Sequence, residues 1–214
     1  MKRTWPTVLA WSALLTFAVA AAGFGLALDG YSHRLHPLAL LGARGVPNGA
    51  AYGVVGLLLP GLLAAAATAG LATRWERAGW IGRVGRIGMT MCVLSAIAFA
   101  AQGVFRIDVE DARMVGWGAR LHASAWSTWW IAFVAGAIAL VVGWRGVVGM
   151  RREVVLRVAT SMAAVLVLAF AVFVVLPEAP ALGQRVACGT WFAWLALAAS
   201  LRTPGRGHGA SSSR

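Results

Sequence analysis

"WPTVLAWSALLTFAVAAAGFGLAL", Trp5 to Leu28, contains no charged residue. It is about as long as a helix must be to cross a bilayer core of roughly 30 Å at about 1.5 Å per residue. Five further runs of the same character follow, near residues 50–73, 87–105, 121–144, 158–176 and 186–201. The chain is 60% hydrophobic and only 12% charged, with a mean hydropathy of +0.75, which is outside the range of a soluble domain. The expected fold is all-α, a polytopic membrane protein built as a compact bundle of six transmembrane helices over residues 1–201. The last run is the shortest, and Arg185 and Arg202 are expected to lay their stems along it and lift their charges into the headgroups. The remainder, "RTPGRGHGASSSR" at 202–214, has the composition of a disordered tail, with His208 idle in it.

Met1, Lys2 and Arg3 before an apolar run, and Ala18-Val19-Ala20 within it, also fit a cleavable secretory signal. The run continues uncharged to Leu28, longer than a signal core, so a retained first helix is the expectation and a five-helix protein the alternative.

Orientation follows from the distribution of Lys and Arg. With the N-terminus inside, the loops at 74–86 and 145–157 and both termini are cytoplasmic and carry nearly all of the net charge of +12. Both termini are then inside a cytoplasmic (inner) membrane, and the basic balance reflects topology and attraction to anionic lipid headgroups. No basic, aromatic-interleaved segment points to nucleic acid, and nothing sets an oligomeric state. Cys92 and Cys188 fall near opposite faces of the membrane. Their depths differ by roughly 15–20 Å, beyond the roughly 7 Å Cα limit of a disulfide, and neither suggests a structural or catalytic role. Trp5, Trp75, Trp80, Trp117 and Trp144 sit at expected helix ends, where indole anchors at the interface.

The outer side is chemically different. Its first loop, 29–49, opens with "DGYSHRLHP" and continues with Leu38-Ala39-Leu40-Leu41 between Pro37 and Gly42, a pattern for a short helix at the outer interface. The second outer loop brings Asp108, Glu110 and Asp111 between helices three and four and ends at His122. Three of the four histidines and five of the seven acids therefore share one side.

"YSHRLHPLALLGARGVPNGAAYG", with Leu41-Gly42, Gly45 and Pro47 as an L-G-x-x-G-x-P element, resembles the first outer loop of a bacterial and archaeal membrane family catalogued as domain of unknown function 998. "GVFRIDVEDARMVGWGARLH" resembles that family's second signature, an F-P-x-D segment before Gly-x-x-His. Here Phe105, Asp108 and Gly118 precede His122, and Arg106 stands where the family commonly has proline. The resemblance spans nearly the whole chain and implies a compact multi-helix membrane protein. It brings no agreed chemistry.

These loops supply the candidate site. His33 and His36 share a helical face at i,i+3, Asp108 and Asp111 repeat that spacing, and Asp29 and His122 stand at helix mouths. His33, His36, Asp108 and His122 could ligate a divalent metal such as zinc, whose bound water would be a nucleophile for a membrane hydrolase. Two histidines beside a proline are far less specific than H-E-x-x-H. The plainer reading makes them interfacial side chains, with Asp29 capping or pairing and the acids balancing Arg106, Arg113 and Arg120. His122 is followed at helical spacing by Trp126, Trp129 and Phe133, so it is either the polar end of a packing stripe or a base above an aromatic-lined pocket to which Gln102 and Ser124 add polar groups.

Helix two carries Gly49, Gly53 and Gly56, which allow close helix approach, and then Pro60, which frees a backbone carbonyl. The spans lack the buried acids of a coupled transporter and the filter of a channel. Three functions remain: a protein handling a lipid or small molecule in an outward-facing pocket, with His122 as candidate base and Asp108 as candidate acid; a non-catalytic scaffold or sensor; and a metal-dependent hydrolase.

Overall fold

The computed structural model describes residues 4–73, 79–109, 116–145, 148–173 and 176–202, and among them the chain is helical, with no strand. Helix α1 is Trp5–Ala27 and the short α2 is Leu38–Leu41. The others are α3 (Gly49–Ala72), α4 (Gly79–Val104), α5 (Trp117–Gly143), α6 (Met150–Phe173) and α7 (Leu182–Arg202). Five of them, α1 and α3 to α6, are long and apolar enough to cross a membrane. Helix α7 has 21 residues but is less apolar, because Gln184 and Arg185 occupy its first turn. The expected α2 is present in the first loop. Its buried Leu38 and Leu41 bind it to the bundle, with Pro37 and Gly42 flanking it. Trp75, Glu110, Asp111, Arg113 and the tail lie outside the described residues.

The starts of α4, α5, α6 and α7 all precede the hydropathy reading, most of all in α4 and α6. Helix α4 begins at Gly79 and α6 at Met150, so Arg83, Arg86, Arg151, Arg152 and Arg157 are helical and not in loops. Charge keeps a residue out of hydrocarbon but not out of a helix, and arginine is a good helix former. Glu153 and Arg157, one turn apart, pair at 3.7 Å.

The six long helices close a ring. Each packs on its neighbour in the chain, and α7 returns to α1. Small residues set the spacing where backbones touch. A Cβ on Gly88 would lie 2.8 Å from the Gly136 carbonyl oxygen, and a Cβ on Gly136 would lie 2.8 Å from that of Gly88, which fixes α4 on α5. Gly53 and Gly103 do the same for α3 and α4. Within α3 the turn Gly53–Leu58 is a π-helix, with the Leu59 N–H donating to Val54 O just ahead of Pro60. The wider register stands immediately before proline, where the sequence predicted a freed carbonyl.

Inside the ring lies an aromatic cluster. Phe99 stacks on Trp191 at 5.3 Å, Phe17 stacks on Phe192 at 4.9 Å, and Trp129 meets Trp191 edge-on at 5.9 Å. Each such contact adds about 0.5–1.5 kcal/mol beyond the area it buries. Outside, Val19, Leu26, Ile138 and Val165 are among many large apolar side chains left exposed, the surface a lipid solvent requires. Trp5, Trp80 and Trp117 are exposed at helix ends, as interfacial anchors would be. Trp144 is not: it is fully buried, and its indole N–H donates to Thr160 Oγ1 at 3.1 Å, so its position at a helix end reflects packing. Cys92 and Cys188 are both free and buried.

Candidate functional site

The loop after α1 and the loop after α4 meet. Arg44 N–H donates to Ile107 O at 2.7 Å, and an isolated β-bridge pairs Arg44 with Asp108. Arg106 extends this contact: its Nε donates to Gly42 O at 2.7 Å and its Nη2 to Ala43 O at 2.8 Å. Gly49 has no side chain to obstruct them, since a Cβ there would lie 2.3 Å from Ala43 O and 2.9 Å from Arg106 Nη2. The turn between uses Gly45 at φ 83° and Asn48 at φ 58°, left-handed positions suited to these residue types. Arg106 is thus the clamp between the loops.

A third segment joins at the start of α7. Ala181 N–H donates to Arg34 O at 3.0 Å, and Gln184 Oε1 accepts the Leu38 N–H at 3.1 Å. Arg185 turns back onto the first loop and its own helix start. Its guanidinium donates to the Tyr31 hydroxyl, to His36 O at 3.1 Å and to Ala181 O at 2.9 Å, because fixed acceptors lie at its own depth. Burial holds the Tyr31 hydroxyl above the usual phenol range, against the opposing pull of Arg185. His36 Nδ1 accepts the Ser32 N–H at 2.9 Å, folding its ring back into the loop. His33 packs edge-on to Tyr31 at 5.2 Å over Gly25. Partial burial and then the Arg185 charge hold its pKa below 6.5.

Beneath this strap is a cavity of about 280 Å³. Pro37, Leu38 and Ala39 line it from the loop side, Leu57, Phe99, Ile107 and Trp126 give it apolar walls, and Gln102, His122, Gln184 and Cys188 contribute polar atoms. His122 Nδ1 lies 2.9 Å from Phe105 O and 3.3 Å from Gln102 O. A carbonyl only accepts, so Nδ1 carries the proton, and Nε2 of the neutral ring is left as an acceptor. Gln102 is 4% exposed, and its side-chain Nε2 has no hydrogen-bond partner among the described residues. A buried amide donor without a partner costs about 1–3 kcal/mol.

The cavity therefore unites three of the sequence candidates, His122, Gln102 and Trp126. It does not include Asp29, His33, His36 or Asp108, and Asp111 lies outside the described residues. Asp108 lines a separate cleft of about 390 Å³ with Arg44, Arg106 and residues 116–119. The four-ligand metal centre of His33, His36, Asp108 and His122 is corrected: among the described residues no three His, Cys, Asp or Glu side chains gather where they could hold an ion. The physical reason is local, since each of those histidines turns onto loop backbone or a loop ring. Ser124 is exposed and not among the residues lining the cavity. Gln184 and Cys188 were not anticipated as lining residues. The signal for Gln184 was available, a polar pair with Arg185 opening an apolar helix. No known protein-family model, curated protein or solved structure matches the chain.

Proposed function

We propose that this is a six-span protein of the cytoplasmic membrane, with both termini inside, that holds a lipid or small molecule in the cavity beneath its outer loops. Five apolar helices and the return of α7 to α1 support the span count, and the basic residues concentrated at the other end of the bundle support the orientation. Kinship with the family of domain of unknown function 998 belongs to the same reading and rests on the two loop motifs. The observation that carries the function is the cavity, apolar-walled and bordered by loop one, with His122, Gln102 and Gln184 among its lining residues. His122 would be the base in any chemistry on a bound hydroxyl.

The alternative, a non-catalytic scaffold or sensor, draws on the same loops, since Arg106, Arg185, Tyr31 and His36 are all engaged in holding them together. Mass spectrometry of the full-length protein purified in native membrane nanodiscs separates the two. The binding reading expects a copurifying molecule that is lost in His122→Phe and Leu57→Trp, with membrane levels of protein unchanged. Identical molecular content in wild type and both variants favours the scaffold.

A further inference from the structure

We infer that the groove between α5 and α6 holds an acyl chain of an anionic phospholipid whose headgroup phosphate rests among Arg145, Arg151 and Arg157; its place in the cytoplasmic leaflet rests on the orientation proposed above. Two hollows of about 460 and 350 Å³ lie along this helix pair and adjoin at Val141 and Ser161, which line both. Ile138 of α5 and Val154, Val158 and Val165 of α6 line them and are exposed, so in a membrane it is lipid hydrocarbon that meets them. From Arg157 to Leu168 the groove follows about 16 Å of helix, close to the hydrocarbon depth of one leaflet, half of roughly 30 Å.

Charge selects the lipid. On α6, Val154, Val158, Ser161, Val165 and Leu168 recur at the three- and four-residue spacing of one helical face, and Arg151 stands on that face three residues before Val154. On α5, Val134, Ile138 and Val141 recur in the same way, and Arg145 follows four residues on, its N–H donating to Val142 O at 3.3 Å. Arg145 and Arg151 flank the short connection between the helices, so both stripes reach a cation at the same end. Arg157 lines the second hollow itself. Against the four arginines of residues 145–157 stands one acid, Glu153, paired with Arg157 at 3.7 Å. An excess of positive charge at the cytoplasmic end of an apolar groove fits a phosphate that carries no compensating ammonium. The groove of about 580 Å³ bordered by α1 has no charged lining residue among those described, and so no means of choosing a headgroup.

The test places the full chain in phosphatidylcholine nanodiscs with a trace of phosphatidylglycerol bearing a diazirine on one acyl chain, or of phosphatidylcholine bearing the same chain, and maps the labelled positions by peptide mass spectrometry. The anionic probe should label Ile138 and Val165 about fivefold or more above the zwitterionic one, and the two should label Val19 of the α1 groove equally. Arg151→Gln should lower the preference about fivefold, the effect of one arginine near the membrane surface, and Glu153→Gln should raise it. Arg83→Gln, an exposed arginine of α4 that does not line the groove, should leave it unchanged. Equal labelling of the groove by the two probes, or equal losses in the Arg83 and Arg151 variants, overturns the assignment in favour of unselected lipid and bulk attraction. Orientation is read separately: Gly149→Cys, where a Cβ meets nothing within 4 Å, should react with an impermeant maleimide only after right-side-out vesicles are opened. Reaction in the sealed vesicles overturns the orientation and the cytoplasmic leaflet, while the two probes still decide the headgroup.

Discussion

His33 and His36 are three residues apart and chemically alike, yet their surroundings give them different tasks. His36 closes the turn through Ser32, while His33 lies between Tyr31 and the end of α1 within reach of the Arg185 charge. Because the folded pKa of His33 is held below 6.5, the unfolded chain binds more protons in the interval between the two values. Stability from this group is therefore fully present above pH 6.5 and is lost as pH falls toward the folded pKa. Thermal unfolding of the full-length protein from about pH 8 to about pH 5 should show this loss, and His33→Gln should flatten part of it. An unchanged profile in that variant would remove His33 from the pH dependence. At this scale the sequence identified which residues are polar and on which side, but not what each one touches. Arg106 could be read as a departure from proline, whereas its role as a clamp on two carbonyls depends on where Gly42 and Ala43 fall in space.

Helices were the most legible feature, because apolar run length and helix length share one cause, the thickness of the bilayer core. Their starts were less legible where arginine continues a helix beyond the hydrocarbon, as in α4 and α6. Glycine spacing announced close packing in α3 without naming a partner. The partner of Gly53 is Gly103: a Cβ on Gly103 would sit 2.2 Å from Gly53 O and 2.8 Å from Leu58 N. Both are backbone atoms, so α3 and α4 must separate to admit a methyl group. Gly103→Ala should destabilise the protein by about 1–3 kcal/mol, measured by chemical or thermal unfolding in a fixed detergent. Gly23→Ala, where nothing lies within 4 Å, serves as the control and should be neutral or slightly stabilising. Equal effects at both positions would show that helix spacing is not set at Gly103.

For the whole molecule, closure of the ring depends on α7, which is the least apolar of the long helices and among the most thoroughly buried. Thr160 fastens that closure. Its Oγ1 accepts indole N–H groups from Trp144 on the α5 side at 3.1 Å and Trp194 of α7 at 3.0 Å. Thr160→Val removes the hydroxyl acceptor shared by these two indoles and should cost about 1–3 kcal/mol, with Thr160→Ser restoring most of the loss; unfolding of the two variants side by side checks this. The apolar runs, their lengths and the gathering of polar residues on one side were determined by the sequence alone, because each is a property of composition along the chain. Which polar residues form the cavity was decided only by tertiary structure. The fold turns His33 and His36 into a loop strap and sets Asp108 in a cleft of its own. It brings together Gln102 from α4, His122 from α5 and Gln184 from α7. The consecutive α4 and α5 share that depth with the distant α7 only because the ring closes, and no spacing within one segment encodes the register between them.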